Sequence, residues 1–205
     1  MRVAFVFPTE DIYSNSKPLR DPMNIQFGIS YISSALKLNG HSTRLFVLTG
    51  NNQKKVEELI DQFSPQLMCF TAVSTTYHLI KSFAGIYKAK HSNTWLVAGG
   101  VHVSLNPDKV IADSFDSICV GEGEYPVLEL SEQLERGVHP SSIQNMWIKN
   151  DSEIQRNTTR PFLDNLDQLP FPDRGMWEEW IRYTEDRQMI LLSRGCPYDC
   201  SYCSN

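Results

Sequence analysis

The sequence predicts an α/β protein built on a doubly wound parallel sheet of five strands. Three observations carry this. Short apolar runs recur at 3–7, 43–48, 67–71, 95–98 and 117–120; they are continuous rather than alternating, as strands covered on both faces require. Between them lie segments whose apolar residues recur at helical spacing. Strand and helix alternate five times, which implies right-handed crossovers and helices on both faces of one sheet.

The first run, Val3-Ala-Phe-Val-Phe7, ends at Pro8 and opens into a polar stretch, 9–24, that holds Pro18 and Pro22. A long loop at the C-terminal end of a strand is a frequent place for function. Ile29, Ile32 and Leu36 then mark the first helix, with Gly40 placed to end it in the left-handed conformation. The second strand is followed by a helix over 54–63, carried by Val56, Leu59, Ile60 and Phe63 and closed by Pro65. The third leads through Ala72-Val-Ser74-Thr75-Thr76 into a helix reaching Lys90, with Leu79, Ile80, Phe83 and Ile86 on one face. The fourth runs into a loop, Gly99-Gly100-Val101-His102, and Pro107 then opens a short helix capped by Asn106. The fifth runs into Gly121-Glu122-Gly123-Glu124, after which Pro126 opens a helix to Glu135 that Gly137 ends.

From His139 the alternation stops. Segments 145–149 and 153–156 flank Asn150-Asp151-Ser152 and predict a β-hairpin. The run from Arg160 to Asp173 contains Pro161, Pro170 and Pro172, so extended backbone and a linker are expected there. A short helix is expected over 177–183 and a strand over 189–192. The expected organisation is a sheet domain over 1–138, a hairpin and linker over 139–187, and the start of a second unit over 188–205.

Composition narrows the function classes. With 41% hydrophobic and 21% charged residues, the chain has the make-up of a soluble globular protein. No apolar run approaches the ~20 residues of a membrane helix, so no membrane partner is expected. A net charge of -5, with acids and bases interspersed, lacks the basic patch of a nucleic-acid surface. Five cysteines without a signal peptide imply reduced thiols and a cytoplasmic setting. Cys69 and Cys119 sit in apolar runs and read as small buried hydrophobes.

The other three, Cys196, Cys200 and Cys203, stand at C-x3-C-x2-C behind Arg194-Gly195. Three thiolates on one short loop suit an iron cubane with one iron left open, and an open coordination position is what a metal site needs to do chemistry. Zinc would need a fourth Cys or His; none lies in the two residues after Cys203, though a distant His can supply one. A disulfide framework belongs to short secreted chains.

This loop, with aromatic Tyr202 just before its last cysteine, resembles the cluster loop of the radical S-adenosylmethionine (radical SAM) enzymes. The resemblance implies a 4Fe-4S cluster on Cys196, Cys200 and Cys203, S-adenosyl-L-methionine on the open iron with Tyr202 against its adenine, and an electron donor such as flavodoxin or ferredoxin. Phe27-Gly28-Ile29-Ser-Tyr31, Gly40-His41, Gly99-Gly100-Val-His102, Gly121-Glu122-Gly123-Glu124 and Leu169-Pro-Phe-Pro-Asp173 follow one another ahead of the cysteine loop. That order extends the likeness along the whole chain, to the branch in which a Rossmann-like cobalamin-binding domain precedes a partial β/α barrel.

The likeness implies cobalamin at the C-terminal strand ends, where glycines let backbone approach a large planar ligand and small hydroxyls bond its amides. By position the contacts are Thr9, Ser74, Thr75, Gly99, Gly100, Val101, His102, Gly121, Glu122 and Gly123. The plainer reading of the glycines is turn chemistry, and of Glu122 and Glu124 solvated carboxylates at a helix start. No histidine stands in a D-x-H-x-x-G signature, so the resemblance implies cobalamin without that ligand. The implied activity is radical C-methylation or rearrangement of a small molecule or peptide. A barrel needs many more residues than follow the cysteine loop, so the chain is expected to be an inactive N-terminal portion of such an enzyme. The alternative is a stand-alone cobalamin- or nucleotide-binding module with a zinc or structural metal site.

Overall fold

The computed structural model describes residues 1–150, 153–184, 189–198, 200–201 and 203. Five parallel strands form its centre: β1 (Arg2–Pro8), β2 (Ser42–Leu48), β3 (Leu67–Thr71), β4 (Trp95–Gly99) and β5 (Ser117–Cys119). They are joined through α1 (Phe27–Leu38), α2 (Gln53–Phe63), α3 (Tyr77–Lys90), and α4 (Val101–Leu105) with α5 (Pro107–Ile111); α6 (Glu124–Glu135) follows β5. The unbroken apolar runs are buried as expected: Val3, Ala4, Phe5 and Val6 of β1 are fully covered, as are Leu67 and Met68 of β3. Right-handed crossovers put α1 on one face and α2 to α5 on the other. Helix α6 packs on α1 and so returns to the first face.

The expected hairpin forms from β6 (Met146–Lys149) and β7 (Ile154–Arg156), and it continues the sheet. β6 lies antiparallel on β5, with Ser117 opposite Ile148 and Cys119 opposite Met146. The sheet therefore has seven strands, in the order β2-β1-β3-β4-β5-β6-β7, where five were expected. A hairpin is a local signal. Its docking depends on β5 offering a free edge, which is a property of the assembled sheet.

Three expectations on local structure change. Val101 and His102, read as loop, begin α4; five residues with Val101 exposed carry too little periodicity to announce a helix. The helix expected over 177–183 is only a 3-10 turn, Gly175–Trp177. Beyond it the backbone takes strand-like partners: Ile181 bridges Leu19, and the Arg182 and Tyr183 amides donate to the carbonyls of Leu19 and Arg20. The strand expected over 189–192 is absent; Ile190 and Leu192 are exposed and no ladder partner lies beside them among the described residues.

The proline-rich stretch, extended apart from a 3-10 turn at Leu166–Gln168, closes onto the sheet domain at Asp173. That carboxylate accepts from Ser33 Oγ at 2.6 Å and pairs with Lys37 Nζ at 2.7 Å. No helix among the described residues is long and apolar enough to cross a membrane.

His41, just after the Gly40 turn, is buried, and its Nε2 lies 3.1 Å from Ser131 Oγ on α6. Burial lowers its pKa from the usual 6.5, against the opposing pull of Glu135. A basic group whose folded pKa is depressed takes up its proton more readily when unfolded, so its contribution is lost as pH falls through and below about 6.5. The urea midpoint is expected to fall on acidification through that window, and His41→Asn to flatten the slope; an unchanged slope in the variant would place the titration elsewhere.

Candidate functional site

In an open sheet with strand order 2-1-3-4-5, the crossovers reverse direction between β1 and β3, and a crevice opens there above the C-terminal strand ends. A cavity of about 310 Å³ occupies this place, between the sheet and helices α1 and α6. Its floor is one face of the sheet, read two residues apart along neighbouring strands: Phe5, Cys69 and Thr71, Val97 and Gly99, and Cys119. Gly28, Ile29 and Ile32 of α1 and Val127 of α6 form the helical wall. The lining is almost wholly apolar, as a site for an organic cofactor requires.

Glycines set its shape. At Gly123 an added Cβ would come within 2.8 Å of Ile32 Cδ1, so the turn into α6 lies close against α1 and a side chain there would displace the end of Ile32. Gly100, with φ of +94°, takes the chain from β4 into α4 in a conformation that favours glycine. Gly121, at φ of +90°, turns the chain beyond β5, and its amide donates to Ser104 Oγ at 3.0 Å.

The rim carries the charge. Arg194 Nη1 donates to Glu122 Oε1 at 3.0 Å and Nη2 to Glu124 Oε1 at 2.5 Å, and the guanidinium lies 5.0 Å from the Tyr31 ring centre. Burial works against the charge of Arg194, but Glu124 and Glu122 outweigh it and raise its pKa. Glu122 Oε2 also accepts from the Leu163 amide at 3.0 Å, beside Phe162 at the cavity mouth. Asn145 Nδ2 donates to the Glu122 carbonyl at 3.0 Å, bracing the turn from the hairpin side.

Of the ten residues expected at the ligand, the structure brings Gly99, Gly100, Gly121, Glu122 and Gly123 to the cavity. The other five line no part of it. Thr9 donates its amide to the Leu48 carbonyl and its hydroxyl to that of Asp11. Ser74 and Thr75 are exposed, and Val101 sits on the outer side of α4. His102 stacks on Tyr77 with ring centres 4.2 Å apart, and its Nδ1 lies 3.0 Å from Ser74 Oγ. Burial, with Lys109 nearby, lowers its pKa.

Sequence reasoning missed several cavity residues. Cys69 and Cys119 are indeed buried, and burial pushes the Cys119 thiol up to about 12, which keeps it uncharged; both line the cavity. The two-residue spacing of Cys69 and Thr71 on one strand was the available signal; nothing in the sequence joins either cysteine to Gly99. Arg194 had none, because its partners lie 70 and 72 residues away.

Cys196 and Cys203 are exposed and Cys200 half-buried, all three as free thiols, and the Cys203 amide closes a turn onto the Cys200 carbonyl at 2.9 Å. Accessible, unpaired thiols at this spacing fit an iron cubane. Tyr202, expected at the adenine, lies outside the described residues. Glu57, Asp61 and His91 could converge on a cation elsewhere, but Lys90 already pairs with Glu57 at 2.5 Å.

The family model described as the B12 binding domain matches residues 24–131. Over the full chain, the sequence is 24% identical to an uncharacterized methyltransferase, PH0819, of Pyrococcus horikoshii, covering 45% of that protein. It is 25% identical to an anaerobic magnesium-protoporphyrin IX monomethyl ester cyclase of Rubrivivax gelatinosus, covering 38% of it. The chain thus spans less than half the length of these curated relatives. Among solved structures it is similar in fold to the cobalamin-dependent S-adenosylmethionine radical enzyme OxsB with aqua-cobalamin and S-adenosylmethionine bound, with a TM-score of 0.70 at 16% identity over 87% of this chain and 25% of that one.

Proposed function

Because the chain belongs to the B12 binding domain family, we propose that its cavity binds cobalamin and that the chain is the cobalamin-binding portion of a radical SAM enzyme carrying out methyl transfer or ring formation. The observation that carries this is the apolar, glycine-shaped cavity at the β1/β3 switch point. The residues that would hold the cofactor are those lining it, among them Gly99, Gly100, Gly121 and Gly123, whose backbone would let a bulky ligand come close. When bound, cobalamin supplies a methyl carrier and the cluster a single electron for cleaving S-adenosylmethionine.

The residues of this chain bind, orient and exclude water. Phe162 and Arg194 line the mouth; Glu122 pairs with Arg194 and accepts from the amide of Leu163, the residue after Phe162. Cys196, Cys200 and Cys203 would hold the cluster, and the residue before their loop, Gly195, is at φ of +80°. The names of the relatives favour methylation or cyclisation over other radical outcomes.

The purified chain is expected to retain hydroxocobalamin through gel filtration, about one per chain, with a visible spectrum distinct from that of the free cofactor. A colourless protein would reject the proposal. Anaerobic reconstitution with iron and sulfide should load iron that Cys200→Ala cannot hold; zinc in place of iron would favour the stand-alone module.

A further inference from the structure

We infer that Arg194 is a positioning residue that makes the segment leading to the cysteines part of the cavity wall, so that cobalamin binding and the ordering of residues 189–195 are coupled in both directions. This rests on the cobalamin reading above. Arg194 stands two residues before Cys196, yet its guanidinium lines the cavity between two carboxylates of the β5–α6 turn. The Glu124 side chain is only 5% exposed, and Arg194 is the cation paired with it among the described residues. A carboxylate so covered cannot lose its partner without being left charged and poorly solvated. The pair is therefore a specific clamp rather than a surface contact.

Three separate stretches of chain meet on these two carboxylates. The turn 121–124 supplies them, Leu163 donates its amide to Glu122, and Arg194 bridges Glu122 and Glu124. Among the described residues, few other polar contacts hold the approach segment. Ile190 is 74% and Leu192 90% exposed, and the Arg174 side chain reaches the Met189 carbonyl at its far end. A ligand filling the cavity packs against Arg194 and Phe162 and so favours the closed wall. Releasing the clamp removes a wall and weakens the ligand. The two effects are equal by linkage.

The test is hydrogen exchange of residues 189–195 in the full 205-residue chain, with and without hydroxocobalamin, alongside the cofactor's Kd from its visible spectrum. In the unaltered chain cobalamin should slow exchange of this segment several-fold. In Arg194→Gln the segment should exchange fast in both states and Kd should rise roughly tenfold, within the range of ordinary coupling between sites. Arg194→Lys keeps the charge but not the two-pronged fork, and should recover part of both effects. If Arg194→Gln does not fold, Glu122→Gln removes one arm of the clamp from the other side and serves the same comparison. Tight binding by the unaltered chain with unchanged exchange, or an unchanged Kd in the variants, overturns the coupling and leaves the cobalamin reading standing. No bound spectrum in the unaltered chain instead rejects that reading.

Discussion

Gly99→Leu is expected to weaken cobalamin binding by roughly 100-fold, ~2.8 kcal/mol at about 1.4 kcal/mol per decade, while the protein stays folded. Gly99 ends β4 with a backbone conformation open to any residue, since its φ is not among the positive values. A Cβ built there meets Cys119 Cβ at 3.7 Å and the Cys119 carbonyl at 3.8 Å, which is ordinary contact. The fold therefore has no reason to demand glycine. The cavity does, because Gly99 and Cys119 both line it and a leucine side chain at that point fills ligand space.

The neighbouring glycine separates the two causes. A Cβ at Gly100 would lie 2.7 Å from Thr71 Oγ1 and 3.1 Å from the Ala72 carbonyl, on a backbone at φ of +94°. Gly100→Ala is therefore expected to cost about 1–3 kcal/mol of stability. Titrating both variants with hydroxocobalamin and unfolding both in urea gives the comparison. If Gly99→Leu binds like the unaltered chain, this cavity is not where the ligand sits.

Trp177→Ala is expected to destabilise the protein by about 3–5 kcal/mol, a large share of the ~5–15 kcal/mol that holds a domain together. Trp177 comes from the stretch beyond the prolines, yet it is fully buried. Its ring meets Phe7 of β1 edge-on at 5.4 Å, and its Nε1 donates to Ser30 Oγ of α1 at 2.8 Å. Trp180 follows, 7% exposed, with Nε1 donating to the Leu45 carbonyl of β2 at 3.0 Å. Residues 173–183 thus cover a flank of the sheet that would otherwise face water. The urea midpoint of Trp177→Ala should fall steeply and that of Trp177→Phe less; a shift under about 1 kcal/mol would make the segment a passenger.

Much of this was legible because it is local. Leu67–Thr71 and Tyr77–Lys90 each carry their own period and punctuation, so strand and helix could be placed before any packing was known. The short α4 and the turn at Trp177 were misread for the converse reason. α4 is too short to show a helical period, and the backbone beyond Trp177 is set by Leu19, a partner that no local window of sequence contains.

By itself, the sequence determined the parallel core, the glycine turns after β4 and β5, and the spacing of Cys196, Cys200 and Cys203, since each follows from residue type and separation along the chain. Only the tertiary structure decided that the hairpin extends the sheet, that Cys69, Gly99 and Cys119 share one cavity floor, and that Arg194 closes its rim on Glu122 and Glu124. The physical reason is range. Strand edges, cavity walls and buried ion pairs join residues from separate elements, and their energy depends on where folding has put the partner rather than on any pattern near the residue itself.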